Sequence, residues 1–354
     1  MKKLFRPLLL SAALVSFLAS CSDDATAPTP APTGGSGQYA FVLNEGNFSN
    51  GTGSVSRFDK TTKALTVDAF GSANKGAVLG SVVQSMGIIG TTGYVVVNNS
   101  NKIEVVSLPD FKTKATISGL NQPRYFLPST VNALKAYVTE WLGGPFPAPY
   151  TAGRVSTIDL TTNKVTGSVA VGTNPERMVA AAGNIYVANS SSPFLTVIND
   201  ASGAATSTIA LPSPASSLVV DKNGNIWVLC GTDYVTTPAS LVRFNPATPT
   251  TLTRLPLPAV GSGSGLRIGA DGQQLYYSYG KGEYRMNITD TTLPTTPLIR
   301  RSFYGFDIDP ITGQLYGTDA LNYSSPGRLI RYQPDGTKLD SATVQVSPNG
   351  VVFY

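Results

Sequence analysis

The stretch NIYVAN at residues 184–189 recurs 41 positions later as NIWVLC at residues 225–230, and each copy follows a glycine, Gly183 or Gly224. A repeat of this length is typical of proteins that assemble several copies of one structural unit. Aligning on the aromatic residue gives seven copies, at Tyr39, Tyr94, Tyr137, Tyr186, Trp227, Tyr276 and Tyr316. Their spacings of 55, 43, 49, 41, 49 and 40 residues are too uneven for a solenoid and favour a propeller with loops of variable length.

Two further short runs accompany each aromatic stretch. The run after it, such as FLTVIN (194–199), is rich in β-branched residues and bounded by turn formers, which predicts a strand. The run before it, such as PERMVA (175–180), is missing only from the first copy, and the chain ends on a run of that kind, SPNGVVFY (347–354). We therefore expect the C-terminal strand to complete the first blade and close the ring without an open sheet edge.

Length and composition agree with an all-β, seven-bladed β-propeller over residues 38–354. Dividing this span by seven gives about 45 residues per repeat, within the ~40–50 of a four-stranded blade. No window shows sustained helical periodicity, and 35 glycines and 25 prolines are scattered as turn residues. The Gly-His pair of WD40 repeats is absent because the chain has no histidine.

The first 21 residues are expected to be a lipoprotein signal peptide. A basic start, MKKLFRP, precedes an apolar run too short for a permanent membrane helix, and LASC (18–21) resembles the bacterial lipobox. Cys21 would then be the lipidated residue that anchors the mature chain to the membrane. The alternative is an ordinary signal peptide followed by a core cysteine.

Residues 22–37, SDDATAPTPAPTGGSG, have almost nothing to bury and predict a disordered tether. Ser22, Asp23 and Asp24 resemble the acidic export signal behind the lipidated cysteine of Bacteroidetes surface lipoproteins. The expected location is therefore the outer membrane, exposed at the cell surface. An anchor that faces the periplasm is the alternative.

Charge and residue counts restrict the function. The net charge of +5 falls to +2 once Lys2, Lys3 and Arg6 leave with the signal peptide, which argues against nucleic acid as a partner. Cys230 would be the single remaining cysteine, and we expect it to be a small buried apolar residue. Without histidine, Ser-His-Asp and Cys-His catalysis, His-ligated haem and nearly all catalytic zinc sites are excluded. We expect no catalytic residues, metal or cofactor, and a monomer.

The repeats resemble those of a known group of propellers. The Tyr-Val-x-Asn strands, TIDL (157–160) and TNPERM (173–178) are similar to the YncE-like, surface-layer type of seven-bladed propeller. Within that group, FVLNEGNFSNGTGSVSRFD (41–59) resembles the start of the BtuG group of Bacteroidetes surface lipoproteins. That resemblance implies capture of cobalamin and its transfer to a TonB-dependent outer-membrane transporter.

Two sets of loops should meet on one face of such a propeller. One set is the connections that follow the aromatic strands. The other is the segments that lead into the first strand of the next repeat. Among the connections, EWLGGPFPAPYTAG (140–153) holds three large rings among prolines. Rigid rings beside Asn and Arg suit a large, flat, amide-rich or sugar-like ligand. The predicted ligand-binding residues are Asn44, Glu45, Asn47, Phe48, Arg124, Trp141, Phe146, Tyr150, Arg177, Tyr234, Arg267, Tyr304 and Tyr323. The alternative is that these rings pack on their own loops or cap the channel.

Three classes of function remain open from the sequence. The favoured one is a non-catalytic binding protein that captures a small molecule, cobalamin-like in the resemblance, or docks on a TonB-dependent transporter. The second is a protein-binding or envelope-structural propeller. The third is a calcium-dependent lactonase or quinoprotein-type enzyme, since oxygen ligands would suffice for calcium. Fold alone does not distinguish them.

Overall fold

The computed structural model describes residues 37–48, 50–143, 152–231, 238–258 and 263–354, which form seven antiparallel sheets arranged as blades in a ring. This confirms the all-β, seven-bladed propeller. Cys21, the signal peptide and nearly all of the tether lie outside the described residues, as do Phe146, Tyr150 and Tyr234.

The innermost strands of blades 1 to 7 contact one another around the channel. In that order they are β27 (Pro348–Phe353), β4 (Val83–Ile89), β8 (Pro123–Pro128), β12 (Pro175–Ala181), β16 (Ala215–Val220), β20 (Gly263–Ile268) and β23 (Gly305–Ile308). The second strands are β1 (Tyr39–Asn44), β5 (Thr92–Val97), β9 (Lys135–Leu142), β13 (Asn184–Asn189), β17 (Ile226–Cys230), β21 (Gln274–Tyr279) and β24 (Leu315–Asp319).

The third strands are β2 (Ser54–Asp59), β6 (Lys102–Ser107), β10 (Ala152–Asp159), β14 (Phe194–Asn199), β18 (Ser240–Phe244), β22 (Gly282–Asn287) and β25 (Pro326–Tyr332). The outer strands of six blades are β3 (Leu65–Thr66), β7 (Thr113–Ile117), β11 (Lys164–Val171), β15 (Ala205–Ala210), β19 (Thr253–Pro256) and β26 (Lys338–Val346). Within the described ranges, blade 6 has three strands.

Two short helical segments interrupt the strands. Helix α1 (Ala69–Ala73) begins after Asp68, whose Oδ1 accepts a hydrogen bond from the backbone N–H of Gly71 at 3.0 Å. A 3₁₀ turn spans Asn98–Ser100. Neither is long enough to produce a helical period in the sequence, and α1 buries Phe70 against blades 1 and 2.

The hydrophobic core is divided among the spaces between blades. Each of the seven apolar clusters of the described chain joins residues of two neighbouring blades. The repeated aromatic residue fills such a space: the Tyr94 ring stacks on Phe126 of the next blade with centroids 4.6 Å apart, and Tyr316 meets Phe353 at 5.0 Å. The aromatic residue therefore recurs because neighbouring blades pack around it. Burying one large side chain fully contributes about 1.5–3 kcal/mol to stability.

The C-terminal strand closes the ring as the sequence predicts. β27 pairs antiparallel with β1, with Ala40 opposite Phe353, and the backbone N–H of Tyr354 donates to the Tyr39 carbonyl at 2.9 Å. β1 begins at the end of the channel where Gly37 packs against Ile311, a residue of the β23–β24 turn. It ends at the other face, where the chain continues into Glu45.

Candidate functional site

A pocket of about 480 Å³ opens at the face on which β1 ends. It is lined by residues from blades 1, 2, 3, 4 and 7, around one side of the channel mouth. Among the predicted site residues, those that line it are Glu45, Phe48, Arg124, Trp141, Arg177 and Tyr304. The connections after the second strands and the starts of the inner strands thus meet in one cavity.

β-Bulges at the start of the inner strands form the polar part of this pocket. In the described chain, six of the seven inner strands shift register against their neighbour at this end. Gln84 is the additional residue of β4, Asn349 that of β27, and the pairs at 124–125 and 176–177 each oppose one residue. Bulges change the direction of side chains and are common beside functional sites. Here they bring polar side chains to the mouth of the channel.

Arg124 and Glu176 form a buried ion pair between blades 3 and 4. The guanidinium Nη2 donates to both carboxylate oxygens, at 2.9 and 3.1 Å, and Nη1 donates to Gln84 Oε1 at 2.5 Å. Burial, the largest single effect, favours the neutral form of Arg124, but the interactions with Glu176, Tyr125 and Glu45 together outweigh it and the pKa of Arg124 is raised. This arginine is therefore a fixed cation with its charge already compensated.

Trp141 lies in strand β9, and contacts to both its ring and its indole N–H hold the side chain in place. Its ring is covered by the Arg124 guanidinium, 4.1 Å from the ring centroid, and its indole N–H donates to the Pro175 carbonyl at 3.1 Å. This differs from the sequence-based expectation of an exposed ring on a loop. The strand extends to Leu142, so the ring forms part of the pocket wall between blades 3 and 4.

Glu45, Tyr304 and Asn349 form a second polar group, where blades 1 and 7 meet. The Tyr304 hydroxyl donates to Glu45 at 3.0 Å, and Asn349 Nδ2 donates to Glu45 Oε1 at 2.9 Å. Burial raises the pKa of Glu45, against these hydrogen bonds and the charge of Arg124. Partial burial and then the charge of Glu45 raise the pKa of Tyr304, which therefore remains a hydrogen-bond donor.

Arg177 and Arg267 occupy the blade 4 and blade 6 side of the mouth. Arg267 Nε donates to Asp307 Oδ1 at 2.5 Å, and Asp307 Oδ2 also accepts the backbone N–H of Val351 at 2.8 Å. The Arg177 guanidinium lies over the Tyr125 ring, 4.7 Å from its centroid. Burial, and next the charge of Arg267, lower the pKa of Arg177.

The remaining predicted site residues lie elsewhere. Asn44 is fully buried and its Nδ2 donates to Ser56 Oγ at 3.0 Å, so it supports the end of β1 and does not line the pocket. Asn47 donates its backbone N–H to Thr52 Oγ1 at 2.9 Å. Tyr323, 55% exposed, contacts the Tyr304 ring edge to face at the rim, with centroids 5.2 Å apart.

Sequence reasoning missed Gln84, Tyr125, Asp307 and Asn349, all of which line the pocket. A signal for them exists: Gln84, Tyr125 and Asn349 stand within the first three residues of the runs QSMGIIG, PRYFLP and SPNGVVFY. Aligning the first residues of the inner-strand runs with one another would have selected these positions.

The described residues hold no group of three or more aspartate, glutamate, cysteine or histidine side chains able to bind a metal ion. Cys230 is fully buried, and burial raises the pKa of its thiol to about 12. In the same part of the chain, no helix combines the length and apolar character needed to span a bilayer.

These features define a seven-bladed β-propeller with a polar and aromatic pocket at one mouth of its channel. The chain belongs to the family described as a domain of unknown function, DUF5074, whose model matches residues 38–330. No curated protein matches the chain.

Several solved structures share the fold. A quinonprotein alcohol dehydrogenase-like protein of Bacteroides thetaiotaomicron aligns with a TM-score of 0.67 and 16% identity, over 90% of this chain and 78% of that one. The periplasmic gluconolactonase of Pseudomonas aeruginosa aligns with a TM-score of 0.65 and 14% identity, over 89% and 99%. A functionally unknown protein from Desulfotomaculum acetoxidans gives a TM-score of 0.66 and 12% identity, over 89% and 98%. At these identities the likeness concerns the fold alone.

Proposed function

We propose that this chain is a non-catalytic binding protein that takes a small molecule into the pocket at the channel mouth. The observation that carries the proposal is the pocket itself, about 480 Å³ in volume and formed by residues of five blades. Small-molecule sites are typically concave, with volumes of ~300–1,000 Å³, and combine ring or apolar walls with a few fixed polar groups.

The pocket wall supports this role through its rigidity. Arg124 and Glu176 are held by their ion pair, and Trp141 by Arg124 and the Pro175 carbonyl. Rings held in one orientation offer contact area at low entropic cost, and fixed polar groups set the orientation of a ligand.

The proposed setting is the cell surface of a bacterium with an outer membrane. Lipidation at Cys21 would anchor the protein, and the acidic residues that follow favour export to the surface. In a YncE-like, BtuG-like role the protein would hand its ligand to a TonB-dependent transporter. A pocket of about 480 Å³ suits a drug-sized molecule, or one part of a larger ligand such as cobalamin.

The test is to purify the protein from its native membrane and identify by mass spectrometry any small molecule that it retains. Trp141 lines the pocket and Trp227 is 1% exposed in the core, so adding the identified molecule should change the tryptophan fluorescence mainly through Trp141. The Trp141→Phe variant is the matched control and should lose most of that change. Preparations that carry no small molecule, with a protein partner recovered instead, would favour the protein-binding or structural alternative.

A second candidate, hydrolysis of a lactone, has one observation in its favour. The carboxyl of Glu45 has a raised pKa and contacts the Tyr304 hydroxyl within a cleft, an arrangement found among acid–base groups. Turnover of a panel of lactones by the wild type that is lost in Glu45→Gln would establish it. Turnover that persists in this variant would exclude Glu45 as the base.

A further inference from the structure

We propose that Arg177 binds the anionic group of the ligand, so that the pocket takes a small molecule bearing a carboxylate or a phosphate. This inference rests on the proposed function, because it presumes that the pocket holds a small molecule. It adds the chemical class of that molecule and the residue that selects it.

Most of the charged side chains around the mouth are paired with one another. Three arginines and three carboxylates surround it, and two arginines are paired: Arg124 with Glu176 and Arg267 with Asp307. Arg177 makes no ion pair or side-chain hydrogen bond with any residue that the structure describes, and its contact is with the face of Tyr125. Of the three arginines at the mouth, Arg177 is thus the one with no hydrogen-bond acceptor among the described residues.

The carboxylates of the mouth already accept hydrogen bonds from other groups. Glu176 accepts both of its bonds from Arg124, and Asp307 accepts from Arg267 and from the Val351 backbone. Glu45 accepts from Tyr304 and Asn349. The charges of Asp307 and Glu176 attract Arg177, but neither carboxylate accepts a hydrogen bond from it in the described part of the chain.

The surroundings of Arg177 disfavour its positive charge. The side chain is half-buried at a bulge of β12, and burial together with the charge of Arg267 lowers its pKa. An arginine nevertheless keeps its charge at neutral pH. A ligand anion would supply the missing acceptors and offset the repulsion between the two arginines.

The geometry of the group narrows the ligand class. A guanidinium presents pairs of N–H donors that match the two oxygens of a carboxylate or phosphate. The guanidinium lies over the Tyr125 ring, and its N–H groups donate no hydrogen bond to the described residues, so they are the part that can bond to a ligand. Both anions satisfy this chemistry, and the choice between them is experimental.

The experiment measures binding of three probes to the full chain by isothermal titration calorimetry, in a buffer low in chloride. Benzoate joins a carboxylate to a flat ring, benzamide is its neutral analogue, and inorganic phosphate tests the second anion. Each probe is titrated into the wild type, Arg177→Gln and Arg177→Lys. The matched control is Arg243→Gln. Arg243 lies on strand β18, is half-buried like Arg177, and places its guanidinium over an aromatic ring, 5.3 Å from the centroid of Trp227.

We expect the wild type to bind benzoate or phosphate at least about tenfold more tightly than benzamide, the ratio typical of one charge-assisted hydrogen bond. Arg177→Gln should abolish this preference, Arg177→Lys should retain part of it, and Arg243→Gln should leave it unchanged. If the wild type binds the charged and neutral probes equally, that result alone overturns the inference. A preference for the anion that survives in Arg177→Gln overturns it as well.

The two proposals fail in different ways. If the pocket binds benzamide with a change in Trp141 fluorescence but shows no preference for an anion, the anion assignment is wrong and the binding function stands. If neither anion binds saturably up to its solubility limit, the anion assignment is overturned, and the molecule retained on purification decides the binding function separately.

Discussion

Deleting residues 349–354 tests whether the last strand holds the ring closed. The deletion removes most of β27, and with it the buried side chains of Val351 and Tyr354, 5% and 9% exposed, and two half-buried ones, Val352 and Phe353. At about 1.5–3 kcal/mol for each fully buried side chain, the first two alone account for about 3–6 kcal/mol.

That loss is large relative to the total free energy of unfolding of a domain, about 5–15 kcal/mol. The figure of about 3–6 kcal/mol leaves out the hydrogen bonds between β27 and β1, so the total loss of stability should be larger. For the 317 residues of 38–354, at ~2.1 cal/mol/K of unfolding entropy per residue, a loss of about 3 kcal/mol corresponds to a fall in Tm of roughly 4–5 °C.

The assay is thermal unfolding followed by circular dichroism, with chemical denaturation for the free energy. The control is Leu339→Ala, in outer strand β26 and 38% exposed, which should change stability by no more than about 0.5 kcal/mol. A deletion variant that melts within about 1.5 °C of the wild type would refute the argument that β27 holds blade 1 together, since a loss of only about 1 kcal/mol would account for that shift.

Three further outcomes are expected. Cys21→Ser should release the protein from membranes and end incorporation of labelled lipid, whereas unchanged membrane binding would contradict the lipobox interpretation; protease access in intact cells tests surface display separately. Trp141→Ala should weaken ligand or transporter binding by about 2 kcal/mol or more, with some loss of stability because the ring also contacts Arg124 and the Pro175 carbonyl, and an unchanged affinity would move the site elsewhere. Burial raises the pKa of Glu283 to about 7 from 4.5, so the free energy of unfolding should fall between about pH 4.5 and 7 as the unfolded chain, but not yet the folded one, loses this proton. Glu283→Gln should flatten that part of the profile, and identical pH profiles would argue against the raised pKa.

The sequence was sufficient for the architecture because the packing between blades repeats. An aromatic residue such as Tyr94 or Tyr316 is needed wherever two blades meet, so its spacing reveals the number of blades. The split first blade followed from the same pattern, since the run at 347–354 had no other repeat to complete.

The site was only partly predictable because its contacts join distant residues. Arg124 and Arg177 were expected on the correct face, but the pairing of Arg124 with Glu176 depends on how neighbouring blades align, and Asn349 meets Glu45 across 304 positions. Register shifts at the bulges also decide which side chain faces the channel. Trp141 shows the remaining limit, because β9 continues to Leu142, into the loop predicted from residue 140, and the Trp141 ring becomes part of the pocket wall.

The direction of β1 has a consequence for how the protein would present itself. Gly37 stands beside Ile311 on one face of the disc, and β1 then crosses to the opposite face, where Glu45 borders the pocket. Any segment that precedes Gly37 therefore leaves from the back of the disc. If that segment carries a lipid, its point of attachment is on the face opposite the pocket and does not obstruct the open mouth through which a ligand would enter.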